Sequence, residues 1–237
     1  MKFLYILYQY LIGFPLVIIA TLFTAIFTII CFPWKNGKAP RMVQVLWSRS
    51  VLWFLLVPIK VTGKEHVNPK QSYVFVANHQ SFLDVFAVYG WLPNNFKWLM
   101  KKELRKVPFV GTACAVAGHI FVDRSNPRAA LQSMEKVKKE LVDGISTVIF
   151  PEGTRTKTGE IGRFKQGAFK IAMDMELPVV PITLNGFYKA MPSGQPFANP
   201  FSHLSLHIGK PIDISQFTDI NDAMLHVREK VEHGIVK

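Results

Sequence analysis

An uncharged apolar run over residues 3–34 constrains what this chain can fold into more than any other feature of its sequence. A helix needs about 20 apolar residues to cross the hydrocarbon core of a bilayer, which is about 30 Å thick. At about 1.5 Å per residue, one straight helix over the whole run would be about 48 Å long. Gly13 and Pro15 are expected to break it into two helices, residues 3–14 and 16–32. A single span and two helices embedded without a full crossing both fit the pattern.

The residues around this run indicate how it would sit in a membrane. Four side chains near its start suit a membrane interface, namely Tyr5, Tyr8, Gln9 and Tyr10. Basic residues are more frequent after the run than before it, with Lys2 preceding and Lys35, Lys38 and Arg41 following. Because basic residues favour the cytoplasmic side of a cell membrane, the rest of the chain is expected on that side.

Composition narrows the class of partner. The chain has 28 Lys and Arg against 16 Asp and Glu, a net charge of +12, which favours a polyanionic partner such as nucleic acid or an anionic membrane surface. The hydrophobic fraction of 49% and the 19 Phe residues are unusual for a soluble nucleic-acid-binding domain. We therefore expect membrane lipids as partners and no nucleic acid.

Short apolar runs alternate with helical patterns after the first 58 residues, which end in an expected amphipathic helix over residues 43–57. Runs rich in β-branched and aromatic residues predict strands over residues 59–63, 73–77, 96–100, 120–122, 147–150, 179–184 and 204–208. Helices are predicted over residues 81–91, 127–141, 164–175 and 221–236. The alternation predicts one α/β domain over residues 59–237, with a mostly parallel or mixed sheet flanked by helices. Residues 1–58 are predicted to be membrane-embedded, anchoring helices.

His79 follows the predicted strand over residues 73–77, and Asp84 comes five residues later. Residues five apart lie on different faces of one helix, so the backbone must turn between them for their side chains to meet. A turn at His79 and a helix from Ser81 would let Asp84 reach back to the imidazole, giving a base and its orienting carboxylate. Residues 81–84 also fit a helix capping box, in which Asp84 accepts the Ser81 backbone N–H.

Four polar clusters lie at predicted strand ends or in nearby loops, where open α/β sheets place ligands. They are His79 with Asp84, residues 101–124, residues 150–169, and Pro181 in the last inner strand. The first contains H-x-x-x-x-D, and the third contains E-G-T-R at residues 152–155. In this order and spacing the clusters resemble the four motif blocks of the glycerophospholipid acyltransferase family, most closely its bacterial 1-acylglycerol-3-phosphate acyltransferases. The resemblance covers about residues 74–186.

The resemblance implies that residues 59–237 are a catalytic domain, which acylates the free sn-2 hydroxyl of 1-acylglycerol 3-phosphate (lysophosphatidic acid) and yields phosphatidic acid for phospholipid biosynthesis. The donor would be acyl-CoA or acyl-carrier protein, with no cofactor and no metal. A thioester is already activated, so the reaction chiefly needs a stronger nucleophile. His79 would take the hydroxyl proton and Asp84 would hold the imidazole tautomer. The imidazolium would then protonate the departing thiolate.

The resemblance also implies which residues bind the phosphate or the rest of the acceptor: Lys101, Lys102, Arg124, Glu152, Gly153, Thr154 and Arg155. Arg155 offers a planar fork for two phosphate oxygens, and Gly153 permits close backbone approach. Lys102 is the alternative to Lys101, and Arg124 serves either phosphate binding or structure. Pro181 is expected to be architectural or to lie in the acyl pocket. Standing alone, residues 152–155 would equally fit a surface turn with a local ion pair.

Other functions stay open on the sequence alone. An acyltransferase for another lysophospholipid or a lyso-aminolipid would keep the chemistry and change the acceptor. A non-catalytic module that binds anionic lipid through its net charge would make His79 dispensable. A metal hydrolase is disfavoured because neither C-x-x-C nor clustered carboxylates accompany His79, and the G-x-S-x-G of serine hydrolases is absent.

Overall fold

The computed structural model describes residues 2–32, 41–123, 127–200 and 202–235. The helices in these ranges are α1 (Lys2–Tyr8), α2 (Phe14–Cys31), α3 (Arg41–Phe54), α4 (Leu83–Trp91), α5 (Val110–Val116), α6 (Pro127–Glu140), α7 (Gly167–Asp174), α8 (Phe187–Ala190) and α9 (Ile220–His233). The strands are β1 (Ile59–Thr62), β2 (Val74–Ala77), β3 (Asn95–Lys101), β4 (Ile120–Val122), β5 (Ile145–Ile149), β6 (Val179–Asn185) and β7 (Leu204–Ile208). Each predicted strand is present, whereas α5 and α8 were not predicted from the sequence.

The strands form one mixed seven-stranded sheet in the order β1-β7-β6-β2-β5-β3-β4. From β6 to β4 all neighbours are parallel, while β7 pairs antiparallel with β6 and parallel with β1. This confirms the predicted single α/β domain with a mixed sheet flanked by helices. Because parallel strands end at the same edge, the loops after β2, β5 and β3 are brought together there.

The central strand β2 is buried along its whole length. Successive side chains of a strand point to opposite faces, so β2 serves two cores. Phe75 and Ala77 join a core that includes residues of α3 and α4, and Val74 and Val76 join one that includes residues of α6, α7 and α9. A strand covered on both faces carries an unbroken apolar run instead of an alternating one, and this made β2 recognisable in the sequence.

The apolar amino-terminal segment forms one helical path over residues 2–31, in which a π-helical turn, Gln9–Gly13, joins α1 to α2. The expected break at Gly13 and Pro15 is wrong, since Gly13 is right-handed helical with φ of −58° and ψ of −56°. Pro15 directly follows the π-helical turn, in which the Phe14 N–H donates to the Gln9 carbonyl, and a local π-helical adjustment of this kind lets a helix continue past a proline. Among the described residues, this helix is the one long and apolar enough to cross a membrane, by length and composition.

Side chains of α1 and the π-helical turn attach the apolar segment to the rest of the chain. The Tyr5 and Tyr8 hydroxyls donate to backbone carbonyls at the carboxyl end of α3, at 2.6 and 3.0 Å. Buried Gln9 exchanges two hydrogen bonds with the Ala198 backbone, at 2.8 and 2.9 Å. Gln9 is buried, so the prediction that it lies at a membrane interface is wrong, whereas for half-buried Tyr5 and Tyr8 and for exposed Tyr10 it stays a prediction. The division of the chain at residue 58 into an anchor and a catalytic domain stays a prediction.

Candidate active site

The Asn78 side chain determines where the chain leaves β2. Its Nδ2 donates to the Leu184 carbonyl at 3.0 Å, and its Oδ1 accepts the Leu184 N–H at 2.8 Å. The side-chain amide thus takes the place of a backbone peptide against β6, and the main chain is free to turn. His79 is the next residue, so its imidazole lies at the edge where the parallel strands end.

His79 and Asp84 are in contact, as the sequence predicts. Nδ1 of His79 lies 2.8 Å from Oδ2 of Asp84. Asp84 lies in the first turn of α4, and its side chain reaches back across the turn. An ionised carboxylate only accepts hydrogen bonds, so Nδ1 carries the proton and Nε2 is left as the acceptor. Nε2 makes no hydrogen bond to any described residue. The pair has the geometry of a base held by a carboxylate.

The Asp84 carboxyl group is fully buried and also caps the turn. Its Oδ2 accepts the Gln80 N–H at 2.6 Å and the Ser81 N–H at 2.8 Å. The capping contact and the imidazole contact therefore occur together. Burial raises the pKa of Asp84, while the bonds from His79, Ser81 and Gln80 oppose that rise. Its Oδ1 is buried without a partner among the described residues.

A stack of aromatic rings supports the imidazole. The His79 ring lies on Phe150, with centroids 4.0 Å apart and planes 11° apart. Phe150 in turn stacks on Trp98 at 5.5 Å and 22°. Phe150 directly follows β5, and Trp98 lies in β3, its neighbour in the sheet. Sequence reasoning assigned no role to either ring, although Phe150 is the first residue of the third polar cluster.

The loop that carries E-G-T-R holds the backbone of His79 from both sides. Oε1 of Glu152 accepts the His79 N–H at 2.7 Å, and the Thr156 N–H donates to the His79 carbonyl at 2.9 Å. The other carboxylate oxygen of Glu152 accepts the Gly162 N–H at 2.8 Å. Burial raises the pKa of Glu152, and the bonds from His79 and Gly162 oppose that rise. Both oxygens of Glu152 are thus engaged by backbone N–H groups.

Two of the predicted phosphate ligands are exposed and paired with carboxylates. Lys101 ends β3, and its Nζ lies 3.7 Å from Glu103. Lys102 forms an ion pair with Asp123, and the hydrogen bond to that carboxylate raises the pKa of Lys102. Neither lysine lines the cavity beside His79 described below.

The remaining predicted acceptor ligands differ in their surroundings. Gly153 has φ of +77°, a conformation that favours glycine. Thr154 and Arg155 are exposed, and Arg155 forms no ion pair with a described residue. Arg124 lies outside the described residues. The structure therefore brings part of the third block to His79, while Lys101, Lys102 and Arg155 are exposed at the surface.

Pro181 is buried within β6, opposite Val76 of β2. Its carbonyl accepts the Gly209 N–H at 2.8 Å, just after β7 ends. The N–H and C=O of one strand residue face the same neighbour, so the missing N–H of Pro181 faces this side and removes no bond to β2. The contacts are those of an architectural residue, and Pro181 does not line the cavity beside His79.

A cavity of about 280 Å³ opens beside His79. Its wall combines apolar side chains of β3, β4 and β5 with Gly153, Lys165 and Gly167. Sequence reasoning did not select Lys165 as a site residue. The one sequence feature that could have indicated it is its position, as a basic residue between Phe164 and the start of α7. Groups of three or more His, Cys, Asp or Glu able to hold a metal ion are absent from the described residues.

Three comparisons relate the chain to known proteins. The family model described as Acyltransferase matches residues 58–185. The chain is 34% identical over 165 residues to the 1-acyl-sn-glycerol-3-phosphate acyltransferase of Cocos nucifera, a match covering 68% of this chain and 53% of that protein. It is 32% identical over 208 residues to a chloroplastic 1-acyl-sn-glycerol-3-phosphate acyltransferase of Arabidopsis thaliana, covering 87% of this chain and 58% of that protein. The chain thus spans between half and two thirds of the length of these curated relatives.

A solved structure shares the fold over nearly the whole chain. The crystal structure of the 1-acyl-sn-glycerophosphate (LPA) acyltransferase of Thermotoga maritima superposes with a TM-score of 0.83 at 26% sequence identity. The match covers 98% of this chain and 94% of that one. The similarity therefore includes the amino-terminal helices as well as the sheet.

Proposed function

This chain belongs to the acyltransferase family, and from that premise we propose that it transfers a fatty acyl group from acyl-CoA or acyl-carrier protein to the free sn-2 hydroxyl of 1-acyl-sn-glycerol 3-phosphate. The product would be phosphatidic acid. The observation that carries the proposal is the contact between His79 and Asp84 beside an open cavity, with Nε2 of His79 available as an acceptor. The similar proteins are named for acylation of 1-acyl-sn-glycerol 3-phosphate, which supports the choice of acceptor.

The imidazole is placed to act as a general base. Nε2 of His79 takes the proton of the sn-2 hydroxyl as its oxygen attacks the thioester carbonyl carbon and the new C–O bond forms. As the C–S bond breaks, the imidazolium returns that proton to the departing thiolate. Proton transfer of this kind contributes typically about 10²- to 10⁴-fold to a rate. Asp84 stabilises the imidazolium, and the face of Phe150 stabilises the same positive charge.

Glu152 has a different role in this proposal from the acceptor binding that the motif resemblance implies. Both of its carboxylate oxygens already accept backbone N–H groups, from His79 and from Gly162. We assign it the role of positioning His79, because it fixes the backbone from which the imidazole projects. A buried carboxylate with both oxygens engaged has little capacity left for a ligand.

The exposed cations Lys101, Lys102 and Arg155 would attract the acceptor phosphate toward the site. Exposed ion pairs such as those of Lys101 and Lys102 add little to stability, so a phosphate can displace the carboxylate partner. Arg155 needs no such displacement and is our first choice among them. We also propose that the apolar helix over residues 2–31 holds the enzyme at the cell membrane, where the acceptor resides, with the sheet on the cytoplasmic side.

Identification of the product tests the proposal. The full chain, purified in detergent, is incubated with 1-acyl-sn-glycerol 3-phosphate and either acyl-CoA or acyl-carrier protein, and lipids are analysed by mass spectrometry. Phosphatidic acid formed with at least one donor is the expected result. Acylation of only a different lysolipid would refute the acceptor and keep the chemistry. Absence of acylation with every donor and acceptor would favour a module that binds anionic lipid.

A further inference from the structure

Lys165 lies on the wall of the cavity that opens beside His79, and no motif block assigns it a role. We propose that Lys165 binds the phosphate of the acceptor within this cavity and thereby selects acceptors that carry a phosphomonoester. The inference rests on the proposed acyl transfer, and adds to it a specific ligand for the negatively charged head group.

The contacts of Lys165 place its amine against the loop that holds His79. A Cβ added at Gly153 would lie 2.8 Å from Lys165 Nζ and 3.4 Å from its Cε, so the end of the side chain rests on the Gly153 backbone. The Lys165 backbone N–H donates to the Pro151 carbonyl at 2.9 Å, which fixes the base of the side chain to the same loop. Between Pro151 and Gly153 lies Glu152, which accepts the His79 N–H.

The charge of Lys165 is not neutralised within the described part of the chain. Apart from His79, it is the one ionisable side chain among the described residues that line the cavity. It forms no ion pair with any described residue. The Lys165 side chain is exposed and therefore accessible to an anion, and the largely apolar wall on one side of it makes the attraction stronger than it would be in bulk water. The amino end of α7, at Gly167 on the same wall, adds partial positive charge there.

The chemistry of the acceptor matches this arrangement. In 1-acylglycerol 3-phosphate, the phosphate is on the carbon next to the one that bears the free hydroxyl. When that hydroxyl lies at His79 Nε2, the phosphate must lie nearby, and Lys165 is the cation on the same cavity wall. Lys101 and Lys102 have carboxylate partners outside this cavity, and Arg155 does not line it.

Steady-state kinetics with Lys165→Gln test the proposal, using Lys157→Gln as the matched control. Lys157 is an exposed lysine of the same loop that does not line the cavity. Lys165→Gln is expected to raise the KM for 1-acylglycerol 3-phosphate about tenfold, at the lower end for a hydrogen bond to a charged group because Lys165 is exposed, with kcat within about twofold. Lys165→Arg, which keeps the charge, is expected to restore most of the affinity, and Lys157→Gln to leave KM unchanged.

Three kinetic outcomes would overturn the proposal. An unchanged KM in Lys165→Gln would show that the amine does not bind the acceptor. A fall in kcat with KM unchanged would place Lys165 at the reacting carbonyl instead of the phosphate. A raised KM in both lysine variants would show only a general effect of surface charge.

A second measurement separates this proposal from the proposed activity. In the His79→Ala variant, without any donor, lysines are labelled with an amine-reactive reagent and the labelled sites are mapped by mass spectrometry. The acceptor is expected to protect Lys165 and not Lys157, because binding needs no turnover. If the wild type acylates no acceptor while Lys165 is still protected, the proposed activity is overturned and the anion site stands. Equal labelling of Lys165 with and without acceptor would overturn the anion site.

Discussion

Replacement of Asp84 by Asn would separate the electrostatic role of this side chain from its role in the fold. The Asn oxygen can occupy the place of Oδ2, where it would still accept the Gln80 and Ser81 N–H groups. The Asn NH₂ would then take the place of Oδ1, which is buried and has no partner among the described residues. Because two backbone N–H groups fix this orientation, His79 Nδ1 keeps an acceptor and the tautomer is retained.

The variant loses the negative charge beside the imidazolium. Two unit charges about 4 Å apart interact by about 4 kcal/mol at an effective dielectric constant of about 20. Since about 1.4 kcal/mol corresponds to a factor of ten, kcat is expected to fall about 10²- to 10³-fold. This is less than the roughly 10⁴-fold loss caused by the equivalent change in serine proteases, where the tautomer is lost as well.

The stability of the Asp84→Asn variant follows from the direction of the pKa shift. Burial raises the Asp84 pKa above its ordinary value of 3.8. A carboxyl group with a raised pKa in the folded state contributes stability at low pH that is lost as the pH rises through that pKa. At pH 7 the ionised group therefore lowers stability, whereas the buried NH₂ group of Asn without an acceptor costs about 1–3 kcal/mol. Because the two effects oppose each other, the Asn variant is expected to melt within a few degrees of the wild type. A gain of 1 kcal/mol would correspond to about 2–4 °C.

The assay is thiol release from acyl-CoA with saturating acceptor, combined with thermal unfolding followed by circular dichroism at pH 7 and pH 4.5. Any advantage of the variant in melting temperature should shrink at the lower pH, where more of the wild-type carboxyl group is neutral. If the variant kept more than a tenth of kcat, the proposed stabilisation of the imidazolium would be refuted. A variant that melted well below the wild type at pH 7 would show that the ionised carboxylate is mainly structural.

Two further substitutions test the residues around the base. Glu152→Gln places an NH₂ group against a backbone N–H of His79 or Gly162, so the imidazole should shift and kcat should fall about 10- to 100-fold with little change in acceptor KM. A raised KM with kcat intact would instead support acceptor binding by Glu152. Arg155→Ala removes an exposed guanidinium and is expected to raise the acceptor KM about three- to tenfold. The control is Arg163→Ala, since Arg163 is also exposed and does not line the cavity beside His79. An equal rise in both arginine variants would argue against specific phosphate binding by Arg155.

The sequence revealed those features of the fold and the site that depend on neighbours along the chain. Buried strands such as β2 are unbroken apolar runs. The contact between His79 and Asp84 is also local, because the two residues are only five apart in the sequence. The expected break at Gly13 and Pro15 was wrong because the helix-breaking tendencies of glycine and proline do not take account of their surroundings in the folded chain. The π-helical turn before Pro15 lets the helix continue past the proline, and Gly13 lies where an added Cβ would approach the Phe54 carbonyl of α3 to 3.1 Å.

Contacts between distant segments were not predictable in the same way. Glu152 lies 73 residues from His79, and its spacing gave no sign that both carboxylate oxygens accept backbone N–H groups. Gln9 bonds to Ala198, which is 189 residues away in the sequence. Because that contact cannot be seen in the sequence, a polar side chain within an apolar run suggested a membrane interface instead. The selection of Lys165 requires knowledge of the cavity wall, which only the assembled sheet and α7 define.

The most direct test of the central claim is the acceptor dependence of thiol release by the wild type and by His79→Ala, each purified in detergent. Release by the wild type should require 1-acyl-sn-glycerol 3-phosphate, and His79→Ala should lower it by about 10²- to 10⁴-fold while the variant stays folded. Thiol release that persists in His79→Ala would contradict the assignment of this imidazole as the base.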